Sequence, residues 1–336
     1  MRNTNSLLEN MKNYKGSQPF VDVAGDLPYK KDFNVNSWFY TSRFEVEGEW
    51  ISTLVHLMSL NVPGLTPEPI MLCMAAATNE TTGAYYGGSD EVLPFSAIKV
   101  SEDKYEIRTP KMALYGDLEE MRVEAEIFGG AGAIDFTMKA VGWPIFNSGN
   151  AYFPIGAMNV YQYSLPTLAT TGMLTLDGKT HKVEGMSWYD RQWQNTGVMD
   201  AKWTWMNLDL SNGDFISLWD IDYIGGSRKN TFVTLLKPDG TQMVLPAEHL
   251  VYTDMWHSEK SGRSYPTRYT LKIPALNTCL DVVATPRYQE ICSMVDPKFE
   301  GACAVSGVHD GKYVTGHCVA ELVGAAWVNL PSLPEA

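Results

Sequence analysis

After its first fifteen or so residues the chain repeats one pattern almost to its end. Runs of roughly five to ten residues rich in Val, Ile, Thr, Tyr, Phe and Trp are each closed by a turn dipeptide. The punctuation comprises Glu47-Gly48, Gly87-Gly88, Glu102-Asp103, Gly129-Gly130, Asp177-Gly178, Asn212-Gly213, Asp239-Gly240 and Asp310-Gly311. Asn-Gly and Asp-Gly favour the positive dihedrals of tight hairpins, and the last three pairs, polar turns between apolar runs, are the clearest hairpins. Helix periodicity is confined to residues 5–14, where Leu7, Leu8 and Met11 are expected on one face. Many short strands with almost no helix predict an all-β protein of closed or sandwiched antiparallel sheets, because closure removes exposed edges.

A chain of 336 residues exceeds what one hydrophobic core usually serves. Polar breaks at 147–153 and 194–202 are the candidate joints, and the second separates an irregular front from a more regular back. The expected division is an N-terminal extension over 1–17, one β domain over 18–200 and a second over 201–336. In the second, 203–210 alternates. Thr204, Met206, Leu208 and Leu210 form a mostly apolar file, while Trp203, Trp205, Asn207 and Asp209 suit a partly polar cavity. Residues 215–222 follow the Asn212-Gly213 turn and are expected to pair with it.

Charge and motifs exclude several functions. With 26 Lys and Arg against 39 Asp and Glu, the formal charge of -13 repels polyanions and anionic lipid surfaces, so nucleic acid is not expected as a partner. No run approaches the roughly 18 apolar residues of a membrane-spanning helix, and the longest apolar run in 1–15 is Leu7-Leu8, short of a secretion signal. A cytoplasmic protein without stable membrane insertion is expected, as monomer or homodimer. The five cysteines are odd in number and scattered, which suits reduced, buried thiols. No dinucleotide fingerprint, phosphate loop, His-Glu-x-x-His or nucleophile elbow is present. Asp254 with His257, and His317 beside Cys318, lack a strong metal-ligand spacing. Neither metal nor cofactor is expected.

The densest chemistry lies in 185–193, Gly-Met-Ser-Trp-Tyr-Asp-Arg-Gln-Trp. In an extended chain Met186, Trp188, Asp190 and Gln192 share one face, and Ser187, Tyr189, Arg191 and Trp193 the other. Two readings stand. A carboxyl beside an indole on an enclosed face holds a proton near neutral pH, as an acid catalyst must. Alternatively, Asp190 and Arg191 form a partly exposed ion pair on a barrel strand and the tryptophans are core; a tight pair of this kind would lower the pKa of Asp190.

The same stretch resembles the Gly-x-Ser/Ala-Trp-x-Asp-Arg-Glu-Trp signature of the AttH-like, lipocalin-like superfamily, which includes carotenoid and kievitone hydratases. Trp38-Phe39-Tyr40 is similar to an early Trp-Trp-Tyr strand of that superfamily. Tyr265-Pro266, Ile273-Pro274, Gln289-Glu290, Phe299-Glu300-Gly301 and Glu321-Leu322-Val323-Gly324 match further elements in order, so the resemblance spans roughly 35–326. Gln192 replaces the usual Glu, which weakens a two-carboxylate mechanism, and Phe39 and Phe299 stand where Trp is frequent.

The resemblance implies two linked lipocalin-like antiparallel β-barrel or β-sandwich domains around an apolar pocket. It further implies a cofactor-independent hydratase of a C=C bond in a prenylated or terpenoid small molecule. A cyclase or isomerase of a natural-product intermediate, and a non-catalytic carrier of hydrophobic ligands, are the alternatives. For hydration, Asp190 is the candidate acid, Arg191 its orienting partner, and His56, Tyr40 or Asn207 candidates to hold water. Trp38, Trp188, Tyr189, Trp203, Trp205 and Asn207 are the candidate substrate-binding residues, the tryptophans offering their faces to a carbocation. His56 shares a strand face with Ser52 and Leu54. The structural alternative makes His56 a hydrogen-bonded core residue and Trp203 and Trp205 inter-sheet packing. Asp220 and Asp222 read as the solvent-exposed end of a strand, and Glu300 and Glu321 as structural.

Overall fold

The computed structural model describes residues 3–61, 67–156, 158–195, 201–223, 229–293 and 297–324. Among them lie one helix, α1 (Leu7–Lys12), three short 3-10 turns, and two antiparallel sheets of 14 and 10 strands, each curled into a half-barrel. The middle of the first sheet is built from β1 (Val35–Val46), β2 (Glu49–Leu60), β3 (Ile70–Asn79), β4 (Met158–Leu176) and β5 (Lys179–Gln194), ordered β3-β2-β1-β5-β4. The second contains β6 (Ala201–Leu210), β7 (Phe215–Tyr223), β8 (Lys229–Leu236), β9 (Lys298–His309) and β10 (Lys312–Val323), ordered β8-β7-β6-β10-β9. The domain boundary expected near residue 200 falls at 196–200, outside the described residues.

Turn chemistry sets the hairpins. Glu47-Gly48 joins β1 to β2, Asp177-Gly178 joins β4 to β5, and Asp310-Gly311 joins β9 to β10. Both residues of each pair have positive φ, between 48° and 85°, the two-residue geometry that matches strand twist. Asn212-Gly213 closes β6 onto β7, and Asp239-Gly240 leads β8 into the Gln242–Pro246 strand.

Three larger apolar clusters follow from the two-residue period of these strands, beside a small fourth of Ile145, Trp188, Phe215 and Leu236. One fills the first half-barrel with Trp38, Tyr40, Tyr163, Tyr189 and Trp193, and is closed by Val21, Val23, Leu27 and Tyr29 of the N-terminal segment. A second fills the other half-barrel with Met206, Leu208, Leu210, Tyr265, Tyr269 and Phe299. The third lies between the sheets and takes the alternate residues: Phe39 and Met74 from the first, Trp203, Trp205 and Trp219 from the second. The file Met206–Leu208–Leu210 and the file Trp203–Trp205 thus part as their alternation predicts.

Several expectations need correction. Of the three apolar residues expected on one face of α1, Leu7 is buried and Met11, one turn on, packs against the same core, but Leu8 is 40% exposed, because adjacent helical residues lie about 100° apart and cannot share one face. Asp220 is not in solvent: it is 2% exposed and accepts hydrogen bonds from Thr231 and Leu250 N, with His249 against the same carboxylate. Cys73, Cys303 and Cys318 are buried free thiols, but Cys279 is exposed and Cys292 half-buried. No helix among the described residues is long and apolar enough to cross a membrane.

Candidate active site

The half-barrel interiors are filled with side chains, and the apolar cavity of about 270 Å³ lies instead between the two sheets. Strand register builds its floor. Phe39 on the central β1 pairs with His56 of β2 on one side and Asp190 of β5 on the other, and Asp190 pairs in turn with Ser164 of β4. His56 and Asp190 therefore stand two strand spacings apart, about 10 Å, with the Phe39 ring between them. The roof repeats the device: Glu300 of β9 pairs with Glu321 of β10, which pairs with Trp205 of β6, which pairs with Trp219 of β7. The two rows meet where His56 Nδ1 lies 3.1 Å from Glu300 Oε1, the Phe39 and Trp205 rings cross at 5.5 Å, and Trp219 Nε1 donates to Gln162 Oε1 at 3.0 Å.

Asp190 is 3% exposed and lines the cavity. Its Oδ1 accepts from Ser164 Oγ at 2.5 Å and Gln162 Nε2 at 3.1 Å, and its Oδ2 accepts from Trp188 Nε1. Gln162 can present only its NH2 here, because Trp219 occupies its oxygen. Burial raises the Asp190 carboxyl to about 7, aided by the charge of Glu321; the three donated hydrogen bonds oppose the rise but do not cancel it. The carboxyl thus shares its time between acid and carboxylate near neutral pH.

At the other end of the cavity stands a charged cluster from both sheets. His56 Nε2 is 2.9 Å from Ser37 Oγ, and its Nδ1 is 3.1 Å from both Glu300 Oε1 and Lys298 Nζ. Lys298 also contacts Glu300 Oε1 and lies 3.4 Å from Glu321 Oε1. Burial, then the Lys298 charge, holds the imidazole well below its ordinary pKa, so His56 is neutral. Burial works against the Lys298 charge, but Glu300 and Glu321 override it and hold the ammonium above its usual range. Burial and the neighbouring Glu300 raise Glu321, while Lys298 pulls it down. Ligand atoms of His56, Glu300 and Glu321 lie within 4.8 Å of one another, a spacing that suits a cation. Lys298 Nζ sits in that space and supplies the positive charge itself.

Of the residues singled out by sequence, His56, Asp190, Trp203 and Trp205 reach this cavity. Trp188 does not line it, but packs on Phe215 and positions Asp190. Asn207 lines a neighbouring cleft of about 40 Å³, where it donates to Thr41 Oγ1 and accepts from Val319 N.

Tyr40, Trp38, Tyr189 and Arg191 point the other way, into the first half-barrel, because each is one residue out of phase with the cavity face. Tyr40 shares a 2.6 Å hydrogen bond with Tyr105 and packs on Tyr189 at 4.5 Å, while Trp38 Nε1 donates to Leu27 O. Arg191, fully buried, donates to the carbonyls of Asp26, Pro28, Ser37 and Gln192 and to Asn36 Oδ1, and lies over the Trp38 ring at 4.3 Å. It makes no pair with Asp190 and instead pins the N-terminal segment across the barrel.

Ser37, Gln162, Lys298 and Glu321 are among the polar cavity residues that sequence reasoning missed. Ser37 carried a signal, since it lies two residues before Phe39 on the same strand face. Glu300 and Glu321 were read as structural, and nothing in their local sequence announces a histidine 244 residues away.

The AttH-like family profile matches residues 15–325. The kievitone hydratase of Fusarium solani subsp. phaseoli is 28% identical over 210 residues, covering 58% of this chain and 58% of that protein. The dehydratase asqC of Emericella nidulans is 26% identical over 201 residues, covering 56% of this chain and 57% of that protein. The matched stretch is thus less than two thirds of either relative. The crystal structure of kievitone hydratase from Nectria haematococca superposes with a TM-score of 0.80 over 97% of this chain and 98% of that one, at 22% identity, which establishes the shared fold.

Proposed function

The chain belongs to the AttH-like family, and on that premise we propose that it is a hydro-lyase that adds water to, or removes it from, a C=C unit of an apolar small molecule. One observation carries this reading. A carboxyl that ionises near pH 7 and a neutral imidazole face one apolar cavity from opposite sides of a phenyl ring.

In the hydration direction Asp190 gives its proton to one alkene carbon. The developing cation lies against Phe39 and Trp205, whose ring faces are worth about 1–2 kcal/mol each when water is excluded. A water held at Ser37 attacks the cation, and His56 takes the released proton through the Ser37 hydroxyl. Dehydration runs the same steps backwards. The substrate class we favour is a prenylated or terpenoid molecule, since most of the wall surface is apolar and includes the rings of Phe39, Trp203 and Trp205.

The test incubates wild type and Asp190→Asn with prenylated phenols and polyenes in water labelled with heavy oxygen, followed by mass spectrometry. A labelled adduct made by wild type and lost in the variant supports the reading. A product of unchanged mass would replace it with a cyclase or isomerase. Tight binding with every ligand returned intact would replace it with a carrier.

A further inference from the structure

Hydration by this arrangement leaves one step unfinished. Asp190 loses a proton on one side of Phe39 and His56 gains one on the other, so the gained proton needs a way out of the cavity before the next cycle. The surroundings of His56 Nδ1 suit that need. One neighbour at 3.1 Å, Glu300 Oε1, accepts from a protonated Nδ1, and the other at 3.1 Å, Lys298 Nζ, donates to a bare one. Each of the two neutral tautomers therefore has its own partner already in place.

Beyond His56 the structure contains a small gap. Glu300 is 3% exposed, yet among the described residues its Oε2 has no hydrogen-bond partner, an unusual state for a carboxylate oxygen inside a protein. Glu300 also lines a cavity of about 10 Å³, roughly one water, whose floor holds Ser52 and Thr78, register partners on β2 and β3. Thr78 donates its hydroxyl hydrogen to Gln289 and Ser52 donates its own to Glu80, so both oxygens retain lone pairs for a further donor. Ser52 lies at a junction, since it also lines the cleft of about 40 Å³ on the other side. Glu80 is held by Arg43 at 2.9 and 3.1 Å, and Arg43 stacks on the partly exposed Trp50.

We propose that this cavity binds one water between Glu300 Oε2 and the Ser52 and Thr78 hydroxyls, and that Ser37, His56, Glu300, this water, Ser52 and Glu80 form the proton path from the active site to the surface. The steps balance. The attacking water passes a proton through Ser37 to His56 Nε2, and Nδ1 releases its own to Glu300 Oε1. The Glu300 carboxylic acid turns about its Cγ–Cδ bond, which carries the proton to the Oε2 position, and gives it there to the bound water, which relays it through Ser52 to Glu80 and, at the partly exposed Arg43 beside it, to solvent. Glu300, Ser52 and Thr78 are relay and positioning residues that need not touch substrate. The path rests on the hydro-lyase reading; the bound water does not.

The decisive experiment is a crystal structure of the full chain resolved finely enough to show waters, with nitrogen-15 NMR of the His56 ring. The expected result is one ordered water on Glu300 Oε2 and ring shifts that average two tautomers. An empty cavity, or a ring locked in one tautomer, overturns the proposal whether or not any substrate is turned over.

In the labelled-water assay at saturating substrate, Ser52→Ala and, independently, Thr78→Val are expected to lower kcat about tenfold with KM unchanged and to enlarge the solvent deuterium isotope effect. If Asp190→Asn abolishes hydration while both relay variants leave kcat and the isotope effect untouched, the path fails and the hydro-lyase reading stands. If Asp190→Asn leaves hydration intact, the reading fails and the path falls with it.

Discussion

Asp190 and Arg191 are neighbours on one strand, both fully enclosed, and the protein treats them in opposite ways. Arg191 faces the half-barrel interior, where five oxygen acceptors and two indole rings satisfy it. Asp190 faces the gap between the sheets, where burial holds its carboxyl near neutrality and an empty apolar space lies in front of it. A single step along a β-strand separates a charge that holds the fold from the carboxyl that we propose as the acid. Total burial does not distinguish the two; what each group faces does.

The largest expected break in this comparison is Asp190→Asn, which should lower turnover by about 10² to 10⁴-fold, the range of a positioned general acid, with the circular dichroism of the wild type retained. Arg191→Met should do the reverse. It strips donors from buried carbonyls and frees the N-terminal segment, at a cost of about 3–5 kcal/mol read from the urea midpoint, while turnover per folded molecule changes little.

Titration sharpens the contrast. With Asp190 as acid, kcat should fall as pH rises through about 7, because the proton to be given is lost. Stability moves with it. The folded chain holds this proton to a higher pH than the unfolded chain, so the contribution is complete below the ordinary carboxyl range and is lost as pH climbs through about 7. Asp190→Asn should abolish that slope in denaturation midpoints measured from pH 4 to 8.

Smaller effects separate the two faces further. Trp205→Leu should cost about tenfold in kcat, through loss of a desolvated ring beside the cation. Tyr40→Phe, one residue from Phe39 but on the inner face, should leave kcat unchanged and cost about 1 kcal/mol, since its hydroxyl bonds to Tyr105, away from the cavity. A tenfold loss of turnover from Tyr40→Phe would refute the division of faces.

Much of this architecture was legible in local sequence. The turn pairs at 47–48, 177–178 and 310–311 need positive dihedrals, and the split of residues 185–193 into two faces needs only a period of two. Local sequence did not say which face bordered the cavity. Both are buried and both carry indoles, so neither hydropathy nor residue type distinguished them. Arg191 enters the sequence reading as the orienting partner of Asp190 although the period of two already puts it on the opposite face, and Tyr40 as a candidate to hold water; register sends both behind Asp190. The Lys298, Glu300 and Glu321 cluster was hidden for a different reason: it reaches His56 through packing of one sheet on another, and such contacts leave no spacing to read.

The site lies between two cores, each of which closes around its own side chains without it. Residues lining the gap can therefore be exchanged with little change to what either half-barrel packs inside. Under selection, that separation lets the cavity walls drift toward new substrates, or reverse the direction of a reaction, while the folding of each half stays protected. A scaffold of this kind is evolvable for a mechanical reason: the strands' inward residues pack each half-barrel by themselves, and their outward neighbours, which also join sheet to sheet, can change the cavity without disturbing either interior.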